Sequence, residues 1–191
     1  KVFGNCGSNR VFVIDVHEEE SLRFFGIPAE NISVLPLIVQ HINKTYRGGS
    51  AADLILISPD QDGAKRVKKV GDILKIPHGH VQKERDLNST DALKSVDGDA
   101  IEGEVLGRDV ILLDDMIATG GSMVAAFEKL KKSGARDIYA AAAHGIFSRD
   151  PKEMFGGTAF KKIVVANTIE QTTEFPLIET ISIGAHVAKV L

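Results

Sequence analysis

The sequence predicts an α/β fold, a mostly parallel sheet with helices on both faces, and three observations carry that expectation. Short apolar runs at Asp53–Ile57, Val110–Leu113 and Asp137–Ala142 read as buried strands, and Val11–Val16 and Lys162–Ala166 as further strands. Between them lie stretches with helical spacing, such as Met123, Ala126, Phe127 and Leu130 followed by Lys129, Lys131 and Lys132, whose cations suit a helix end. Several strands also end on polar groups, at Asp15-Val16-His17, Ser58-Pro59-Asp60 and Asp114-Asp115. Sheets of this class gather their sites at such carboxyl ends.

Taken in order, Lys1 to Arg10 reads as the tail of an element and a loop, and Val11–Val16 is a strand by its β-branched content. Glu18 to Glu20 start a short helix that Gly26-Ile27-Pro28 closes. Ser33–Leu35 is expected as a brief strand and Pro36–Tyr46 as a helix with Leu37, Ile38, Val39 and Ile42 inward, ended by Gly48-Gly49-Ser50. Asp53–Ile57 leads to Asp60 and a basic amphipathic helix, Ala64–Lys75. His80–Asp86 alternates and is strongly charged, as an edge hairpin or flap would be, and Lys83 and Arg85 share one face of it, within joint reach of a polyphosphate. Asn88–Gly98 is the rest of that lid, and Ile101–Val105 a short strand. Beyond the central helix come strands at Asp137–Ala142, Lys162–Ala166 and Leu177–Ile183, a helical turn at Pro151–Phe155 and a last amphipathic helix to Leu191.

The stretch Asp109–Ser133 has the order strand, acidic pair, Gly-rich turn, helix. Gly120 and Gly121 let the backbone turn closely, and the N–H groups of the turn and first helical turn can face a phosphate, with Thr119 and Ser122 adding hydroxyls. Asp114 and Asp115 suit ribose hydroxyls or a hydrated magnesium ion better than phosphate. A sugar phosphate satisfies both halves. A bare TGGS could equally be an ordinary capped turn; the paired acids before it favour phosphoribose.

Composition fixes the class. The chain has 191 residues, 43% apolar and 26% charged, enough for a packed core. A formal net charge of −3 offers no basic surface for nucleic acid. One cysteine, Cys6, excludes an internal disulfide framework, and no stretch is apolar enough to span a bilayer, so no membrane partner and a cytoplasmic location are expected. The chain opens on Lys1, so the lack of a visible signal peptide carries no weight.

Asp114–Ser122, DDMIATGGS, resembles the phosphoribosyl-pyrophosphate loop of type I phosphoribosyltransferases and of ribose-phosphate diphosphokinases. Other segments choose between them. DVHEEESLRFFGIP resembles the diphosphokinase segment D-x-H followed by FF-x-IP, SPDQDGAKR its SPD-x-GG with a following arginine, and KER its K-x-R; AAHGIFS and NTI have counterparts there too. The resemblance implies a type I phosphoribosyltransferase-like fold, with magnesium near His17 and Asp60 and catalysis by Lys83 and Arg85, Arg85 also contacting substrate phosphates. Ribose 5-phosphate is expected on Asp114, Asp115, Ala118, Thr119, Gly120, Gly121 and Ser122. It further implies ATP as the other substrate, phosphoribosyl pyrophosphate and AMP as products, and homo-oligomers. Two departures stand out: Asp62, where the family commonly has glycine, and Ala118, where many relatives carry an acid. His144 is expected as a hydrogen-bonded structural residue. Residues 1–30 are expected to be the end of a preceding domain, and 31–191 the phosphoribosyl-binding catalytic domain, with the adenine-holding segment outside this chain. The alternatives are a phosphoribosyltransferase acting on a nucleobase, and a non-catalytic phosphoribose-binding fragment or regulatory subunit.

Overall fold

The computed structural model describes residues 2–45, 53–81, 93–94, 105–172 and 174–190. Among these, seven strands form one sheet in the order β5-β4-β3-β6-β7-β8-β9. They are β3 Leu54–Ser58, β4 His78–Val81, β5 Leu93–Lys94, β6 Asp109–Ile117, β7 Ile138–Gly145, β8 Lys162–Ala166 and β9 Ile178–Ile181. Every pairing is parallel except β4 with β5. A separate parallel pair, β1 Val11–Ile14 with β2 Ala29–Ile32, is linked by a 3₁₀ segment, Glu19–Phe25.

The continuous apolar runs have their expected consequence, since Ile55–Ile57, Val110–Leu113 and Ala140–Ala143 are buried throughout. Alternate side chains serve two cores. On one face, Leu112, Ala140 and Ile163 meet Met123, Phe127 and Leu130 of helix α4, Gly121–Lys132, and Phe155 of α5, Pro151–Phe155. On the other, Leu56, Ile111 and Ala141 meet Ile38 and Ile42 of α2, Leu35–Thr45, and Val67 and Val70 of α3, Ala64–Leu74. Short helices α1, Val2–Asn5, and α6, Gly184–Val187, stand at the ends.

Three expectations need correction. The brief strand placed at Ser33–Leu35 lies at Ala29–Ile32 instead, and the helix starts at Leu35, because Pro36 in a first helical turn lacks only an N–H the helix does not use. β6 is longer than its apolar run and carries Asp114 and Asp115 within it, Asp114 in register with Ala142. β4 begins before the charged stretch and lies inside the sheet between β3 and β5, with Val81 in the core. The calls on Gly48-Gly49-Ser50, on residues 82–86 including Lys83 and Arg85, and on residues 101–104 lie outside the described residues; so does the proposed lid at 88–98 apart from Leu93 and Lys94.

Gly120 shows why the turn needs glycine. Its φ is +74°, and a Cβ there would lie 2.8 Å from Met154 Cε and 3.0 Å from Phe155 Cζ. Gly120→Ala is therefore expected to lower unfolding free energy by about 1–3 kcal/mol through left-handed strain and overpacking. Urea denaturation checks this; a loss no larger than that of an exposed surface substitution would contradict it.

Candidate active site

Every described strand end that the sequence singled out for chemistry opens onto one cavity of about 960 Å³. That is near the upper end for small-molecule sites. Asp15 and His17 come from the end of β1, Asp60 from the turn after β3, and Asp114 and Asp115 from β6; Ala118, Thr119, Gly120 and Ser122 close it. Gly121 begins α4 beside them. Gly120 takes the left-handed N-cap position without a side-chain cap, so the α4 terminus is formed by the Gly-rich backbone itself. Ser148 ties the loop down from behind, its backbone N–H and its hydroxyl both donating to the Ala118 carbonyl (2.9 and 3.1 Å).

The loop carrying His17 is held by Asp15. Asp15 is buried and has φ +42°, and its carboxylate accepts from Ser33 Oγ (2.8 Å) and from the Val34 N–H (2.6 Å). Burial raises its pKa, against those two donors. His144, at the end of β7, reaches across: Nε2 donates to the Ile14 carbonyl (3.0 Å) and Nδ1 shares a hydrogen bond with Thr168 Oγ1 (2.9 Å). It is thus a hydrogen-bonded strut between the small sheet and the large one.

The acidic pair is the electrostatic centre. Asp115 Oδ1 accepts the Met116 N–H, and Oδ2 faces both His17 Nδ1 (2.5 Å) and Arg66 Nη2 (3.2 Å). Arg66 also reaches Asp114 Oδ1 with Nη1 at 3.6 Å. Burial pushes Asp115 up, but the His17 hydrogen bond and the Arg66 charge outweigh it and hold the group below the ordinary value. Asp114 is less well supported: the Asp115 N–H and the Arg66 charge lower it but do not prevail. Burial first, and then its hydrogen bond to and repulsion from Asp115, push it up to about 7. His17 is raised by its bond to Asp115.

Arg66 carried no expected role. It sits six residues after Asp60, on the face of α3 turned to the acids, and the arginine that ends the SPDQDGAKR phrase was the one available signal. Asp60 shapes its own turn, with Oδ1 accepting the N–H groups of Asp62 (3.1 Å) and Gly63 (3.3 Å). Asp62 is accommodated there without disturbing the α3 start. No group of three or more His, Cys, Asp or Glu side chains among the described residues is arranged to hold a metal. Magnesium commonly takes one or two protein carboxylates and completes its shell with substrate phosphates and water, and Asp60 with His17 on the same cavity fits that mode.

The perturbed Asp114 has a stability signature. Its folded pKa lies above the ordinary 3.8, so its contribution is fully present below that value and is lost as pH rises to about 7. Asp114→Asn does not ionise. Its unfolding free energy relative to the unsubstituted chain should therefore rise steadily from pH about 4 to above 7. Denaturant titrations across that range check this, and a difference independent of pH would contradict it.

Comparison with known proteins bears on the family and the fold. The family model described as phosphoribosyl synthetase-associated domain matches residues 68–191. The ribose-phosphate pyrophosphokinase of Staphylococcus haemolyticus is 33% identical over 164 residues, covering 86% of this chain and 49% of that protein. That of Corynebacterium glutamicum is 31% identical over 170 residues, 88% of this chain and 50% of that protein. A crystal structure of phosphoribosylpyrophosphate synthetase from Mycobacterium smegmatis superposes with a TM-score of 0.81 at 27% identity, over 99% of this chain and 59% of that one. The chain thus spans about half the length of the curated relatives it matches. No described helix is long and apolar enough to cross a membrane. The matched segment, the shared fold and the acidic-pair loop together show that this chain belongs to the phosphoribosyl synthetase-associated domain family.

Proposed function

We propose that the chain is the phosphoribosyl-binding part of a magnesium-dependent ribose-phosphate diphosphokinase. The reaction moves a pyrophosphoryl group from ATP to the 1-hydroxyl of ribose 5-phosphate, giving phosphoribosyl pyrophosphate and AMP. The observation that carries the reading is that one cavity holds both a sugar-phosphate cradle, at Asp114, Asp115 and Ala118–Ser122, and a second polar wall from His17, Asp60 and Arg66. A phosphoribosyltransferase has use for the cradle but gives no reason for that wall.

In this reading the 5-phosphate lies on the N–H groups of the loop and the α4 terminus, where backbone dipoles favour an anion. Gly121 and Ser122 begin α4 beside that phosphate. The ribose hydroxyls turn to Asp114 and Asp115. The 1-hydroxyl oxygen attacks the β-phosphorus of ATP, the bond from that phosphorus to the α-phosphate bridging oxygen breaks, and AMP leaves with the electron pair. Asp114, with its pKa near 7, is suited to take the hydroxyl proton at neutral pH, a role Ala118 leaves vacant. His17 and Asp60 would hold the magnesium ion, which supplies charge neutralisation on the phosphates. Lys83 and Arg85 would close over the transferring group and keep water out.

Residues 1–30 are proposed to be the end of a preceding domain and 31–191 the catalytic domain, working as a homo-oligomer in the cytoplasm. AMP formation from ATP and ribose 5-phosphate, with magnesium and then with a chelator, tests the reading. AMP that requires both substrates and the metal is expected; nucleotide made from phosphoribosyl pyrophosphate and a free base instead would overturn it. Lys83→Ala should lower turnover by about 10²–10³-fold, the usual size for one lost transition-state donor, with ribose 5-phosphate affinity unchanged in calorimetry. Weakened sugar binding would make Lys83 a ground-state contact.

A further inference from the structure

Besides the neighbouring Asp114, the Asp115 carboxylate has three partners. Oδ1 accepts the Met116 N–H, within its own strand, and Oδ2 is shared by His17 and Arg66. The side chain is 4% exposed, so a further partner finds little room. A ribose hydroxyl that binds Asp115 at Oδ2 must therefore displace His17, Arg66 or both. The two are unequally mobile. His17 is 64% exposed and rides on the loop after β1, whereas Arg66, 23% exposed, is anchored to α3 and keeps Asp114 as its other contact.

Both displaced groups already border the same cavity, which Lys65 and Lys69 of α3 also line. Arg66 released from the buried carboxylate is a cation facing that cavity. An anion arriving there recovers the lost ion pairing. A polyphosphate is the anion that the reading above supplies.

We propose that His17 and Arg66 are placeholders, occupying the Asp115 carboxylate in the empty site and passing to the polyphosphate donor, His17 to its magnesium ion and Arg66 to its phosphates, when the sugar hydroxyls take that carboxylate over. The proposal rests on the diphosphokinase reading and deepens it by assigning Arg66 to the donor side and by making the two substrates bind cooperatively. Cooperativity follows because each substrate removes a competitor of the other, and by linkage the effect is mutual whichever binds first.

Calorimetric titration of ribose 5-phosphate into the chain, alone and with magnesium and α,β-methylene-ATP present, tests this. In the unsubstituted chain the analogue should tighten sugar binding by about fivefold or more, the low end of usual coupling between sites. In His17→Ala, whose side chain is mostly exposed and unimportant to the core, ribose 5-phosphate alone should bind more tightly than in the unsubstituted chain, although a positive group has been removed from near a dianion. In Arg66→Gln the gain from the analogue should shrink, since only His17 is then left to exchange. An analogue without effect on the unsubstituted chain, unchanged or weaker sugar binding by His17→Ala, or full coupling retained in Arg66→Gln would each overturn the exchange. Absence of any ribose 5-phosphate binding would instead sink the functional reading beneath it.

Discussion

Two adjacent carboxylates within one strand of the sheet are the constraint to which the rest of the site answers. Asp114 and Asp115 continue β6 beyond its apolar run, and the Asp115 N–H donates back to Asp114 Oδ1 at 2.9 Å. Both cannot be ionised in that position without outside help, because like charges and a desolvated setting each favour the neutral acid. Help comes from two elements far apart in sequence, the loop after β1 and the helix after β3, through His17 and Arg66. Arg66 and Asp115 are both largely buried, so removing Arg66 strands the carboxylate and ties the geometry of the helix to that of the strand.

The fold makes this arrangement inexpensive to hold. Parallel strands bring their carboxyl ends to one rim, and apolar layers on both faces keep those ends in register. The two-stranded sheet is attached to that rim by polar groups: Asp15 grips the start of α2, and His144 grips the carbonyl of Ile14. What the rim then offers is chemically divided. Its lining includes the Gly-rich loop with backbone N–H and hydroxyl groups, then imidazole, guanidinium and ammonium groups, and the acidic pair; in the proposed reading the first take the phosphate monoester and the second the polyphosphate. A reaction joining a sugar hydroxyl to a phosphate chain needs that division, since its barrier is lowered chiefly by positioning and charge stabilisation.

Much of this was legible in the chain itself. Unbroken apolar runs gave the buried parallel strands, and Thr119-Gly120-Gly121-Ser122 gave the turn, because a left-handed backbone position beside packed side chains admits little but glycine. Lys162–Ala166 and Pro151–Phe155 fall where periodicity placed them. Boundaries set by tertiary packing were not legible. β6 runs past Leu113 because β7 pairs with it as far as Ile117, and β4 is an inner strand because β5 covers its other edge. Arg66 escaped for a different reason: on α3 its neighbours Lys65, Lys68 and Lys69 make it look like one more solvated cation, and only its contacts with Asp114 and Asp115 in the folded chain set it apart. Asp62 occupies a place where glycine was expected, and Asp60 accepts its N–H in an aspartate turn that tolerates a side chain.

The central claim is that the sugar phosphate sits with its ester on the Gly-rich loop and its hydroxyls on the acidic pair. A crystal structure of the chain soaked with ribose 5-phosphate measures this directly. The account predicts phosphate density against the backbone N–H groups of residues 119–122 and ribose hydroxyl oxygens within hydrogen-bond distance of Asp114 and Asp115. Phosphate found instead against Lys65 and Lys69 of α3, with the acidic pair still bound only to His17 and Arg66, would contradict it.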